Sequence, residues 1–242
     1  MIPARTAAFR QSYRAQIARH YYGLAHVAMI FAIGVGVLAY AVPHIHAVAP
    51  LEWLVVPAVF LIANVFEWWI HRYVMHRPRK WAMGIYRRHT LAHHVFFTDD
   101  EPSFDTTRDF RIVFFPPYAL VAFVLTASAG GALLARVWSA NAGWLTVATA
   151  TAMYLNYELF HYCCHVKDDR VVRHIPFINT IRRHHIAHHD PATMMRVNMN
   201  LTYPIADWMF GTSDLKRGLV GHIFNGYSTR HRRTDLAAAP AR

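Results

Sequence analysis

Apolar residues along this chain come in long unbroken runs, without the short alternation of strands or the single apolar stripe of a surface helix. Four runs, roughly Leu24 to Val42, Leu51 to Ile70, Ile112 to Ala135 and Gly143 to Cys163, reach the roughly 20 residues that a helix rising about 1.5 Å per residue needs to cross a bilayer. Short connectors, Pro43 to Pro50 and a few residues around Asn141, separate the first run from the second and the third from the fourth. This pattern predicts two helical hairpins, each returning to the side from which it entered. Pro116 and Pro117 near the start of the third run, with Gly130 and Gly131 near its end, predict a kink or a start later than Ile112. Ahead of the first run, Arg5, Arg10, Arg14 and Arg19 alternate with Phe9, Tyr13 and Ile17 at helical spacing, which predicts an amphipathic helix within 1–22 lying on the membrane. The arginine-rich lead-in is long and no small-residue cleavage site precedes the second run, so no cleaved signal peptide is expected.

Composition agrees with a bilayer: 55% of the 242 residues are apolar and only 16% are charged. The net charge of +11 would also suit nucleic acid, but the placement of the 25 Lys and Arg decides otherwise. Four precede the first run, eight lie between Arg72 and Arg111, twelve follow Cys163, and only Arg136 falls in a loop on the other side. By the positive-inside rule both termini and the middle segment are cytoplasmic, the basic segments hug the membrane, and no nucleic-acid partner is expected. The expected architecture is an all-α integral membrane protein of one domain. Four transmembrane helices in two hairpins (24–165) carry a cytoplasmic histidine-rich helical cap (166–228) and a disordered tail (229–242), with a bacterial inner membrane as the expected location. The adjacent Cys163 and Cys164 offer neither a disulfide framework nor a cysteine-rich metal site.

The chemistry lies in the histidines. Of 18, eleven fall in four clusters at or just beyond the predicted cytoplasmic ends of the second and fourth helices: His71 and His76; His89, His93 and His94; His161 and His165; and His184, His185, His188 and His189. Residues four apart share a helix face, so His161 with His165, and His89 with His93, suit chelation of one ion each, while His94 points off that face towards a second ion. His71 and His76, five apart and about 140° round an ideal helix, are expected to straddle a helix end or to serve different metals. So many imidazoles in one place would repel if protonated, and bound metal holds them neutral. The pattern also repeats. RRHTLAHH (87–94) resembles RRHHIAHH (182–189), which pairs His89 with His184 and leaves His185 as the extra residue, with the alternative spacing from His185 left open. Glu67 and Glu158, one turn before the first histidine of each half, and Asp190 are candidates to accept a ligand N–H, and Asn198, Asn200 and Asp207 to orient ligands or cap helices. Arg87, Arg88, Arg182 and Arg183 suit lipid phosphate, carboxylates behind the ligands or ordinary interfacial snorkelling. Isolated histidines such as His26 and His222 read as surface or hydrogen-bonded residues.

Several function classes fail on these residues. A zinc protease of the HExxH kind needs glutamate after its first histidine, whereas Tyr162 follows His161. A membrane cytochrome would pair histidines in mid-bilayer, and a metal transporter would want ligands along the membrane path. HRYVMH from His71, HTLAHH from His89, HYCCH from His161 and HHIAHH from His184 together resemble the membrane fatty acid hydroxylase and sterol desaturase superfamily. DFRIVFFPP within Arg108 to Pro117, and DWMFGT over Asp207 to Thr212, are similar to the segments that follow its clusters. HRYVMH is similar also to carotenoid ring hydroxylases. Against the fatty acid 2-hydroxylases the chain departs in the three residues between His89 and His93 and in having no fused cytochrome b5 domain.

The resemblance implies oxygen-dependent oxidation of an unactivated C–H bond of a membrane lipid at two metal ions held by the eleven clustered histidines. Iron is the favoured metal and zinc an alternative occupant of purified protein, with dioxygen as co-substrate. A desaturase or carotenoid hydroxylase with the same centre is the nearest alternative, and a histidine-rich metal-binding membrane protein the non-enzymatic one. Trp68, Trp69, Tyr73, Phe96, Phe97 and Tyr157 are candidates to line a lipid channel or to form the ordinary aromatic belt. No flavin, haem or iron–sulfur motif is present, so electrons are expected from a ferredoxin or cytochrome b5 type partner, steered by the basic face.

Overall fold

A computed structural model describes residues 4–236. Among them the regular secondary structure is all helical, apart from a single isolated β-bridge between Leu215 and Arg232. Three helical stretches, Gly23–His44, Glu52–Met75 and Thr107–Val137, are long and apolar enough to cross a membrane. The fourth expected span is a helix over Ala140–His165, long enough at 26 residues but less apolar, because Thr146, Thr149, Thr151, Asn156 and Glu158 interrupt it. Thr146, Thr151 and Glu158 are buried, so these polar side chains face protein. In the third stretch the short helix Phe110–Val113 gives way to extended backbone at Pro116, and the long helix begins at Pro117, where a missing N–H costs no helical hydrogen bond.

The described chain divides into two compact units. The first is apolar and comprises Tyr22–Ala63 and Phe114–Leu159. Its helices are α1 (Gly23–Ala41), most of α2 (Val55–Ile70), α3 (Pro117–Val137) and most of α4 (Ala140–His165). Val55, Ala142 and Leu145 form a core packed by Ile45, Val48 and Leu134. Helices α3 and α4 approach at Gly131 and Gly143, where a Cβ on either would meet the other's carbonyl oxygen at 2.8 or 2.7 Å. Small residues permit this close backbone packing, which serves where helices cannot rely on the hydrophobic effect to associate. The connecting turns are tied together by Asn141, which accepts from the His46 N–H (3.1 Å) and donates to the His46 carbonyl (2.8 Å) and to Glu52 (3.1 Å).

The second unit holds residues 4–21, Asn64–Val113 and 160–236. Its short helices are Ala4–Ala15, Met83–Arg88, Ile178–His188, Ile205–Met209 and Leu219–Ile223, besides the ends of α2 and α4. The N-terminal helix is present but its arginines do not all face lipid. Arg10 is 2% exposed and donates to the carbonyls of Phe96 and Glu101, both at 2.8 Å. Arg14 binds Asp109 through two hydrogen bonds and Asp105 through a third. Periodicity could not distinguish a basic face meant for headgroups from one that neutralises carboxylates elsewhere in the chain. The expected disordered tail is likewise engaged over its first part: Lys216 N–H donates to the His231 carbonyl, and Arg233 N–H to that of Asp214. The remainder of that tail, 237–242, lies outside the described residues.

Arg10→Ala should therefore release the N-terminal helix. The expected loss is about 3 kcal/mol, two charged hydrogen bonds being removed, read as a lower thermal midpoint in detergent and faster proteolysis before Tyr21. An unchanged protein would mean that Arg10 is a lipid-facing residue after all.

Candidate metal centre

Ten imidazoles converge in the second unit, and helix geometry explains which go where. Five residues, His71, His76, His89, His94 and His188, place ring nitrogens within 4.8 Å of one another, and so do His93, His165, His185 and His189. His161 joins the second group, its Nε2 lying 3.3 Å from that of His93 and 3.2 Å from that of His165. His71 and His76 thus belong to one group and straddle the end of their helix, the first of the two expected arrangements, and do not divide between metals. The segment His71–Met75 is a π turn, in which the His76 N–H bonds to the His71 carbonyl, so residues five apart stand one above the other. A second π turn, His89–His93, does the same for His89 and His94, and sends His93 to the other group. In the second half, His161 and His165, and His185 and His189, achieve the same stacking four apart on regular α-helix. The two halves therefore match once each π turn is counted as one inserted residue. His185, not His184, is the counterpart of His89, and each half lends one histidine, His93 or His188, to the other's group.

The ring nitrogens meet as lone pairs. His71 donates its Nδ1 proton to the carbonyl of Met199, His188 to Val197 (2.8 Å), His93 to Ile112 (3.2 Å), His165 to Pro102 and His189 to Phe97 (2.8 Å). His76 Nδ1 faces the Thr90 hydroxyl at 3.3 Å, whose own proton goes to the Met75 carbonyl. In a neutral imidazole this leaves Nε2 as an unprotonated acceptor. Yet among these the Nε2 of His76 lies 2.9 Å from that of His188 and 3.2 Å from that of His71, while His89 and His185 bring further Nε2 atoms within 2.8 Å of His71 and 3.0 Å of His165 and His189. Opposed lone pairs at such distances call for a cation between them. With ordinary imidazole–metal bonds of about 2.1 Å, right-angled ligands stand about 3.0 Å apart and tetrahedral ones about 3.4 Å. The observed spacings, 2.8 to 3.3 Å, fall in the range of ligands that share an ion, and the donor set fits two metal ions. Burial pushes His76 down to about 2 and His189 to about 4, and holds His89, His93, His94, His185 and His188 well below the usual histidine range, so the rings stay neutral.

A model of the family described as fatty acid hydroxylase matches residues 56–212, about two thirds of the chain and every clustered histidine. The chain belongs to the fatty acid hydroxylase family. No curated protein and no solved structure matches it.

Around the ligands of this fatty acid hydroxylase family member, the carboxylates act on backbone more than on rings. Asp207 is fully buried and accepts from His184 Nε2 (2.9 Å), from the N–H groups of Met199 (2.9 Å) and Asn200 (2.7 Å), and from the Thr212 hydroxyl (2.6 Å). It thereby fixes the Met199 peptide whose carbonyl orients His71, and His184 stands outside both metal groups. Glu67 holds the Leu201 and Thr202 N–H groups and the Thr202 hydroxyl; Glu158 accepts from the Phe115 N–H in the first unit; Asp190 accepts from Ala192 N–H in a turn. Asn198, at a φ of 60°, bridges the His184 carbonyl and Asp214. Arg183 makes a buried two-point pair with Asp214, and Arg182 binds the carbonyls of Cys163 and Val166, so neither meets lipid. Burial alone would raise the Asp214 carboxyl, and the Arg183 guanidinium more than reverses it. Asp214, Thr90 and the five carbonyl acceptors escaped sequence reading, since every residue has a carbonyl and nothing in the chain says which ones a ring will meet.

Two outcomes follow. His185→Ala should bring bound metal from near two ions per chain towards one, by mass spectrometric metal analysis, while His184→Ala should keep both; the reverse result would restore the other register. Because burial lowers the folded-state histidine pKa values below the unfolded 6.5, the unfolded chain binds protons first as pH falls. Metal-free protein should hold its full thermal stability above about pH 6.5 and lose it progressively below, whereas a flat profile from pH 7 to 5 would mean rings already charged in the fold.

Proposed function

We propose that this protein hydroxylates an unactivated C–H bond of a membrane lipid, a fatty acyl chain or sterol-like group, using dioxygen and two histidine-held iron ions. The observation that carries this reading is the donor set: ten neutral imidazoles, buried, in two adjacent groups, within a chain of this family. Iron bound there would supply the binding and reductive splitting of dioxygen, so that C–H, O2, two electrons and two protons give C–OH and water. The chain's own residues hold the rings neutral and in one tautomer and keep water away. Phe97 stacks on His165 with centroids 4.1 Å apart and meets His93 edge-on at 5.1 Å, and Phe96 and Phe97 are both fully buried. Five imidazoles per group exceed the four ligands of a tetrahedral zinc site, which favours iron as the working metal, though zinc competes for imidazole sites.

The membrane arrangement belongs to the same proposal. Two hairpins with both termini on the cytoplasmic side are supported by the one-sided distribution of Lys and Arg. Electrons would arrive from a separate acidic carrier of the ferredoxin or cytochrome b5 type, drawn by the net charge of +11.

Comparative lipid mass spectrometry of a host expressing the protein, against one expressing His93→Ala with His188→Ala, tests this. A lipid heavier by one oxygen, present with the wild type and absent with the variant, is expected. A lipid lighter by two hydrogens would make the protein a desaturase. No change, with iron loaded and a reduced donor supplied, would favour metal binding alone.

A further inference from the structure

Beyond the histidine centre, the second unit contains a cavity of about 730 Å³ whose chemistry the reaction does not use. Lys216, Arg217, Arg230, Arg232 and Arg233 line it, against two carboxylates, Asp207 and Asp235. Both carboxylates have closer partners than the two cations that remain open, although Asp235 also feels the charge of Lys216. Asp207 is occupied by His184, Thr212 and two backbone N–H groups, and Asp235 by Arg233 at 2.7 Å. Arg217 turns to Asn225 and Arg232 to Asp214, while Lys216 and Arg230, both exposed, have no hydrogen-bonded or ion-paired side-chain partner among the described residues. His222, expected from sequence to be a surface or hydrogen-bonded histidine, also lines the cavity and is only 2% exposed. Its Nδ1 donates to the Gly218 carbonyl at 3.1 Å, and its buried Nε2 has no partner among the described residues. A neutral ring held this way offers an acceptor, which suits a hydroxyl.

The rim is apolar. Trp208 lines the cavity and is 42% exposed; Met209 and Phe210 beside it, and Val220 and Phe224 on the adjoining short helix, are also exposed. Phe210 packs on Trp68 with centroids 4.4 Å apart, and Trp68 belongs to the membrane-spanning stretch Glu52–Met75. A basic cavity rimmed by aromatic residues that lean on the end of a spanning helix has the composition of a headgroup site.

We propose that this cavity binds an anionic glycerophospholipid with a hydroxylated headgroup. Lys216 and Arg230 hold the phosphodiester, His222 Nε2 accepts from the headgroup hydroxyl, and Trp208, Met209 and Phe210 lie among the upper acyl carbons. The inference is independent of the reaction, since it concerns binding and not turnover. It is tested on the full-length purified protein by native mass spectrometry from micelles doped with phosphatidylglycerol, phosphatidylmethanol or phosphatidylcholine. Phosphatidylglycerol should be retained best, phosphatidylmethanol next and phosphatidylcholine least. Lys216→Ala with Arg230→Ala should weaken phosphatidylglycerol retention about tenfold or more, two interfacial cations being lost, with metal content unchanged. Exchanging the two cations, Lys216→Arg with Arg230→Lys, should preserve it. Equal retention of all three lipids, or by wild type and the alanine variant, overturns the proposal. So does protection of Lys216 from acylation by glycerol 3-phosphate but not by phosphatidylglycerol, which would assign a soluble phosphate ester. If the alanine variant keeps its lipid but loses turnover with reduced ferredoxin, the cavity docks an acidic protein instead.

Discussion

Everything in the second unit depends on bringing unprotonated ring nitrogens to about 3 Å from each other. Without a cation that contact is repulsive, and with one it becomes a coordination shell. The protein prepares it from behind: carbonyls of Met199, Val197, Phe97, Ile112 and Pro102 each take an Nδ1 proton, which commits Nε2 to the interior and fixes the ring plane. Those carbonyls come from loops, and the loops need holding in turn. Asp207 holds the peptides at Met199 and Asn200, Glu67 those at Leu201 and Thr202, and Asn198 with Asp214 ties the same segment to the His184 carbonyl. The buried acids are thus scaffolding for backbone, and the ligands themselves remain uniformly neutral.

The two metal groups are related by an approximate repeat that is hidden by two insertions. HRYVMH and HTLAHH each carry one residue more than HYCCH and HIAHH, and the surplus is absorbed as a π turn. A π turn is locally less favourable than α-helix and survives where a functional contact requires it. Here it restores the face that an extra residue would otherwise rotate away. The exchange of His93 and His188 between groups then ties the halves together, since each group takes one histidine from the other half.

Charge is used in the same economical way. Arg10, Arg14, Arg182 and Arg183, all of which a sequence reading can assign to lipid headgroups, bind carbonyls and carboxylates of the protein itself. Buried guanidinium groups with several donors serve this purpose well, because each can satisfy more than one acceptor in a fixed plane. Five of the remaining cations, Lys216, Arg217, Arg230, Arg232 and Arg233, line one cavity beside exposed aromatic residues.

Length of apolar run and histidine spacing made the helical membrane class, the family and the identity of the ligating residue type legible from the chain alone, because both are local properties. The break before Pro117 was legible for the same reason: a missing N–H and a fixed φ act where they stand. The partition of histidines between two sites was not legible. It depends on whether five residues make a π turn or overrun an α-helical one, and a chain that permits both is decided by what packs against it. That choice placed His76 with His71 and His94 with His89, while the packing of the regular helix Ile178–His188 turned His185 inwards and His184 to Asp207. The docking of Arg10 and the five carbonyl acceptors likewise exist only in three dimensions, since each joins separate segments of the chain through groups that no sequence position advertises.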